Sequence, residues 1–502
     1  MPSHTPIDLD GHSLRLSDVL PLSSGSSVRI PQHARQAIQE SRSFVHSIAS
    51  GSKAVYGINT GFGYFARQRI PAEELAQLQT NILRSHASSS GPELPAPTAR
   101  LAMALRLNVL CKGLTGVRPE LCDALAALIN AGITPIIPCY GSVGASGDLS
   151  PLAHLALPLI GEGEVLNKGQ RQAAASALKA CGLAPITLAE KEGLSLINGT
   201  QIMLAISSLA LARGLELLDW ADSLAALSME AMDANPSFLD ERLHAARGQP
   251  GQIASAARMR AALEGSYLFD PNRSPPRVQD PYSLRCAPQV HGPSRDALYY
   301  VRGIIETELN AATDNPLVFP GDHSTVSGGN FHGQALAMAA DVASIALAEL
   351  GNISERRLEQ LLNPHCSGLN AFLTPYPGTH SGYMAAQYLS ASLVNENKLQ
   401  ANPAVTDSIP GNVGVEDHVS MGSTSARKLQ RIIDNLERIL AVEWLAAVQA
   451  IDLRRVAPLG QGSQVLYDRL RHSVPMLEED RIIAADVAAA LQLIQTRGLG
   501  AI

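Results

Sequence analysis

The 502-residue chain predicts a mainly α-helical fold: a bundle of long helices with a smaller N-terminal active-site lobe and few short strands. Three observations carry that prediction. Apolar residues recur at helical spacing through several long segments. Charged residues make up 17% of the chain against 46% apolar and 4% aromatic, a charge-poor balance suited to long buried helices and extensive subunit contacts. Strand signals are short and few, confined to residues 27–30 and the region near 186–188.

In chain order, the helical pattern covers residues 99–111, 120–131, 201–218, 334–350 and 381–398, and 424–453 forms the longest candidate, about 45 Å. Gly351-Asn352 reads as the end of one helix and Ser354-Glu355 as the start of the next. The uncharged run 193–212 is long enough to cross a bilayer, but Asn198-Gly199-Thr200-Gln201 sits inside it. A buried helix preceded by a polar loop is the better reading. Glycine- and proline-rich joints fall at 56–63, 138–148, 274–288, 327–333 and 375–382, where loops held by rigid helices can carry reactive groups. Residues 1–195 are expected to form the N-terminal lobe and 196–502 the central and C-terminal helical bundle, co-folded as one unit.

Composition excludes several classes. A net charge of −7 gives no reason to expect nucleic acid or an acidic membrane surface as a partner. The six cysteines show no CxxC and no metal spacing, so they read as reduced thiols of a cytoplasmic protein. Residues 1–20 lack a basic flank followed by an apolar core, so a secretory signal is not expected. There is no HExxH, no His/carboxylate cluster and no phosphate loop; no metal is expected.

The chemistry concentrates in Gly141-Ser142-Val143-Gly144-Ala145-Ser146-Gly147-Asp148. Attack of the Gly147 nitrogen on the Ala145 carbonyl carbon closes a five-membered ring. Loss of water there, and again from the Ser146 side chain, leaves a methylidene conjugated with a carbonyl. Gly147 can take the cramped backbone geometry this needs, and Ala145 adds little bulk. Ser150 reads as the N-cap of a following helix with Pro151 in its first position.

These residues, with Leu149-Ser150-Pro151-Leu152-Ala153-His154, closely resemble the active-site signature of the aromatic amino acid ammonia-lyases and their related aminomutases. The resemblance runs from about residue 14 to 455. It implies a 4-methylideneimidazol-5-one (MIO) ring made from Ala145, Ser146 and Gly147, with no external cofactor. It further implies elimination of ammonia from an amino acid, and a homotetramer whose sites borrow residues from neighbouring subunits. Tyr56, in Val55-Tyr56-Gly57-Ile58-Asn59-Thr60-Gly61-Phe62-Gly63, resembles the family's catalytic tyrosine. As a base it needs positive potential nearby, because a free tyrosine titrates near 10. In Gln279-Asp280-Pro281-Tyr282-Ser283-Leu284-Arg285, the resemblance gives Tyr282 a part in proton handling and Gln279 and Arg285 a part in substrate binding. Arginine suits a carboxylate through two parallel hydrogen bonds. Asn198 resembles a further contact to the substrate's carboxylate or amine, and Phe331 a residue packed beside the ring.

Substrate choice rests on the side-chain pocket. His86 resembles a residue of the histidine- and tyrosine-specific branches; Met384 and Glu416, the latter in Val415-Glu416-Asp417-His418, resemble the histidine-specific pattern. An imidazole N–H can satisfy a buried carboxylate, whereas a phenyl ring leaves it unpaired. Two stretches depart from that branch: Gly414-Val415 before the glutamate and Ser88-Ser89-Ser90-Gly91 after His86. The expected reaction is L-histidine to urocanate and ammonia. Alternatives left open are a tyrosine or other aromatic lyase, an aminomutase, a lyase of a modified histidine such as a betaine, and a non-catalytic helical scaffold. The fumarase/aspartase type is disfavoured, since residues 25–31 do not match its Gly-Ser-Ser-x-Met-Pro loop.

Overall fold

The computed structural model describes residues 6–51 and 53–496; the first five residues of the N-terminal stretch read for a leader lie outside them. Helices take up 62% of the chain, and among the described residues no sheet exceeds three strands, which makes the fold mainly α. The chain divides into two compact units. The first gathers residues 1–212, 302–341 and 403–427, and the second 213–301, 342–402 and 428–502. The chain therefore passes between the two units several times.

In the first unit the helix Ala96–Cys111 is buried on every side from Thr98 onward. A helix apolar all round belongs in a core, and the polar groups it carries must find partners there. Arg100 donates to the carbonyls of Leu22, Ser26 and Ile129, and Asn108 to that of Leu309, groups left open at helix ends and turns. Against it pack Gln32–Ala49 and Pro119–Ala131, the latter ended by Gly132 in the left-handed region at φ 72°. Residues Val28–Arg29 form the expected strand, paired in parallel with Ile7–Asp8. The other expected strand is absent: Ile186 makes one backbone bond to Leu159, too little for a ladder. Run 193–212 resolves as a short helix, Glu192–Ile197, a break at 198–200, and the start of Gln201–Ala231.

In the second unit, the Trp220 and Trp444 rings meet at 5.1 Å between centroids. A fully buried network ties Asp222 to His291 and Arg357 to Glu443. The 334–350 helix does not stop at Gly351. It runs on as Gln334–Leu362, and no new helix opens at Ser354. Gly351 is a close-approach residue: a Cβ there would stand 3.1 Å from Ile439 Cδ1, and the Ser354 hydroxyl bonds Glu443 instead of capping. Packing thus overrides a local stop signal. Gly422–Arg454, at 33 residues, is the longest helix among those described. Gln201–Ala231 and Gln334–Leu362 are long and apolar enough to cross a membrane. Their most apolar windows are 72% and 67% buried in the protein, as core helices are. All six cysteines are unpaired.

Candidate active site

The first unit holds a cavity of about 580 Å³ that brings together Tyr56, His86, Ser146, Asn198 and Glu416. Ala145 and Gly147 line a smaller neighbouring hollow that also reaches His86. Five residues singled out in the sequence from five distant segments, with two more beside Ser146 in its loop, therefore converge without help from the second unit.

Local backbone chemistry shapes the centre of the site. Gly144 and Gly147 bridge to each other across a tight turn, with Ser146 at φ 52° and Gly147 at φ 78°. A serine in the left-handed region is uncommon and marks a turn held by its surroundings. At Gly147 a Cβ would collide with the Gly199 carbonyl, so only glycine fits. The next residue, Asp148, donates its N–H to that same carbonyl at 2.7 Å. The helix that follows is Leu149–Ala156, so its N-cap is Asp148, not Ser150. The Ser150 hydroxyl is instead taken up by Ser88 and Ser89. Nor does the Asp148 carboxylate cap the helix: it accepts from Met203 N–H at 2.8 Å and from the Ser142 and Ser423 hydroxyls. Burial pushes its carboxyl up, against the pull of those three donors.

Tyr56 projects from the turn before Gly61, and its hydroxyl accepts from the Gly63 N–H at 3.4 Å. Burial raises the phenol above its ordinary value; the Gly63 N–H opposes this, and the charges of Glu416 and Asp314 add to it. His86 ends the helix Leu75–His86, and burial lowers its imidazole while the Ile82 carbonyl and Glu416 oppose. Glu416 follows a turn closed by the Gly411–Glu416 backbone pair, and its Oε1 accepts from the Ser146 hydroxyl at 3.3 Å. Asn198 closes the helix Glu192–Ile197, and its Oδ1 is buried without a hydrogen-bond partner. A buried acceptor left open inside a cavity is a place for a ligand donor.

Other expected residues lie elsewhere. Phe331 is half-buried in the loop before Gln334–Leu362 and is not among the cavity's lining residues. Gln279, Tyr282, Arg285 and Met384 belong to the second unit. Tyr282 is 70% exposed, with the Arg285 guanidinium 4.4 Å over its ring. The Arg285 Nε donates to the Asp280 carbonyl. Met384 opens the helix Met384–Gln400. Among the described residues, the cavity's lining includes a carboxylate and no lysine or arginine.

Two residues at the site were missed in the sequence. Arg106, fully buried, donates to the carbonyls of Asn198, Thr313 and Ser195 and to the Gln201 side chain, and so fixes the Asn198–Gln201 break. Burial brings its guanidinium down to about 10. Its signal was a single charge inside the apolar 101–111 run. Asn412 lines the cavity beside Glu416 and carried no signal beyond the Gly411-Asn412 turn pair.

Set beside known proteins, residues 14–472 match the family described as aromatic amino acid lyase. The chain is 48% identical to a histidine ammonia-lyase of Anaeromyxobacter sp. (strain K), covering 98% of this chain and 99% of that one. Its structure superposes on that of histidine ammonia-lyase from Trypanosoma cruzi with a TM-score of 0.92 at 43% identity, covering 99% of this chain and 94% of that one. Tyrosine aminomutase from Streptomyces globisporus gives a TM-score of 0.93 at 40% identity, covering 98% and 97%. The chain belongs to the aromatic amino acid lyase family.

Proposed function

We propose that the chain is a histidine ammonia-lyase, an enzyme that eliminates ammonia from L-histidine to give urocanate. The observation that carries this reading is Glu416, whose carboxylate faces Ser146 at 3.3 Å inside the cavity shared with Tyr56 and His86. A carboxylate there rewards a substrate side chain with an N–H and penalises one without.

The residues around Ser146 fit an MIO ring. The turn already holds Ser146 and Gly147 at positive φ, position 147 has no room for a side chain, and the Asn198 Oδ1 beside it lacks a partner. The ring supplies an electrophile for the substrate amine, turning it into a leaving group. Around it, Tyr56 takes the β-proton, Asn198 accepts from the amine, and Glu416 accepts from the imidazole N–H with His86 alongside. The N-terminus of Leu149–Ala156 points its open N–H groups toward the turn and favours negative charge there.

The substrate carboxylate needs a cation that the cavity does not carry. Arg285 fits that need, stacked on Tyr282 in the short helix Tyr282–Arg285, after a stretch in which Val278 is 95% exposed. We assign Gln279, Tyr282, Arg285 and Met384 to a site completed by neighbouring subunits of a homotetramer, with Phe331 packed beside the ring. A cation delivered this way also lowers the Tyr56 phenol, which burial and Glu416 push above its ordinary value. Exposed Met338 and Ile345 lie seven residues apart on Gln334–Leu362, the spacing of a helix seam that packs on a second copy. A cytoplasmic location suits unpaired cysteines.

Likeness to tyrosine aminomutase favours a second reading, in which the amine returns to the β-carbon of an aromatic amino acid. Offering histidine, tyrosine and phenylalanine separately, and following unsaturated product by ultraviolet absorbance, decides between them. Urocanate from histidine is expected; a β-amino acid product would replace the lyase reading.

A further inference from the structure

We infer that Asn412 is a positioning residue of this site: its carboxamide ties the loop beside Tyr56 to the Glu416 carboxylate and thereby sets how firmly the pocket holds the substrate's side chain. The inference rests on the histidine reading and deepens it.

The geometry is that of a clamp. The Asn412 Oδ1 accepts from the Tyr64 N–H at 3.3 Å, and its Nδ2 donates to Glu416 Oε1 at 3.4 Å. The residue before Tyr64 is Gly63, whose own N–H meets the Tyr56 hydroxyl. Gly63 sits at φ 54°, pressed so closely on the Asn412 amide that a Cβ there has no room. A primary amide presents an acceptor and a donor at one end, so a single side chain reaches both loops. Its orientation is fixed by its partners, because a backbone N–H can only donate and a carboxylate only accept.

The backbone also selects this residue. Asn412 lies at φ 49° and Gly414 at φ 83°, conformations that asparagine and glycine tolerate best. Val413 between them is held at φ 54°, where a β-branched residue persists only if its surroundings impose it. The backbone pair between Gly411 and Glu416 supplies that constraint. Of the two side chains that donate to Glu416 Oε1, the Ser146 hydroxyl is the group lost on ring formation. Asn412 then remains as the donor that keeps the carboxylate aimed.

The test uses the mature full-length enzyme with Asn412→Gly and Asn412→Asp. Glycine keeps the left-handed backbone and removes the amide. The expected result is a KM for histidine raised about five- to tenfold, with kcat within about twofold and an unchanged Tm. Aspartate places a second carboxylate against Glu416, so kcat/KM for histidine gains an ionisation absent from the wild type. The inference is overturned if both variants keep the wild-type KM and pH profile. It is also overturned if Asn412→Gly lowers kcat and Tm together without a selective change in KM, as a purely structural loop residue would. A wild-type enzyme that leaves histidine unreacted refutes the parent reading itself, and this inference with it.

Discussion

Replacing Glu416 by glutamine keeps the shape of the pocket and removes one charge. The carboxylate Oε1 accepts from Ser146 and Asn412 at 3.3 and 3.4 Å, contacts an amide oxygen can keep in weaker form. Hydrogen bonds to charged groups contribute about 1.5–3 kcal/mol and neutral ones about 0.5–1.5, so an imidazole N–H loses roughly 1–2 kcal/mol. At 1.36 kcal/mol per factor of ten, kcat/KM for histidine falls about 5- to 30-fold. Tyrosine and phenylalanine no longer face a charge in the pocket that they cannot pair, so the histidine-to-tyrosine ratio falls further than histidine turnover alone. There is a second signature. The Glu416 charge raises the Tyr56 phenol, and a general base works only above its own pKa. Removing that charge lowers the phenol and moves the acid-side limb of kcat/KM to lower pH. Both effects are read by following urocanate absorbance from histidine between pH 6 and 10. Histidine kcat/KM within twofold of wild type, with an unmoved acid limb, would refute the reasoning.

Other expectations concern the frame around the pocket. Gly147→Ala puts a methyl group onto the Gly199 carbonyl at φ 78°, and should yield a chain that never loses water at 145–147, as intact mass reports. Arg106→Met leaves the carbonyls of Ser195, Asn198 and Thr313 without their buried donor, and should cost about 3–5 kcal/mol in chemical denaturation, whereas Arg106→Lys keeps part of the charge but not the fork. His154 is held below its ordinary value by burial, and its Nε2 has no hydrogen-bond partner. Its unfolded form takes up a proton first as pH falls below about 6.5, so the stability it contributes is present above that pH and lost on acidification. His154→Gln should therefore flatten the fall of Tm between pH 7 and 5.5. Finally, Tyr56→Phe and Arg285→Ala, each inactive alone, should regain activity when co-expressed, because mixed assemblies contain sites with both wild-type residues; no recovery would argue against shared sites.

Much of the helical frame was legible because its signals are local. Periodicity located Gly422–Arg454 to within two residues at each end, and glycine-rich joints marked the loops of Tyr56 and Ser146. What escaped depends on distant partners. Gly351 looks like a helix stop until Ile439 is seen against it. Residues 186–188 look like a strand until only one partner carbonyl is found. Ser150 is a fair N-cap by type, but the chain turns two residues earlier, at Asp148, and spends the serine on Ser88 and Ser89. Arg106 acts through the Thr313 carbonyl and Asn412 through the Tyr64 N–H, partners far along the chain that no local pattern announces. For Tyr282 and Arg285 the residue types speak of carboxylate binding and proton transfer, while a single chain leaves the tyrosine exposed.

Mass spectrometry of the freshly purified, active protein tests the account at its root. A peptide spanning residues 145–147 should be lighter than its encoded mass by two waters, with the deficit removed in Ser146→Ala. Active protein carrying that peptide at its full encoded mass would contradict the account.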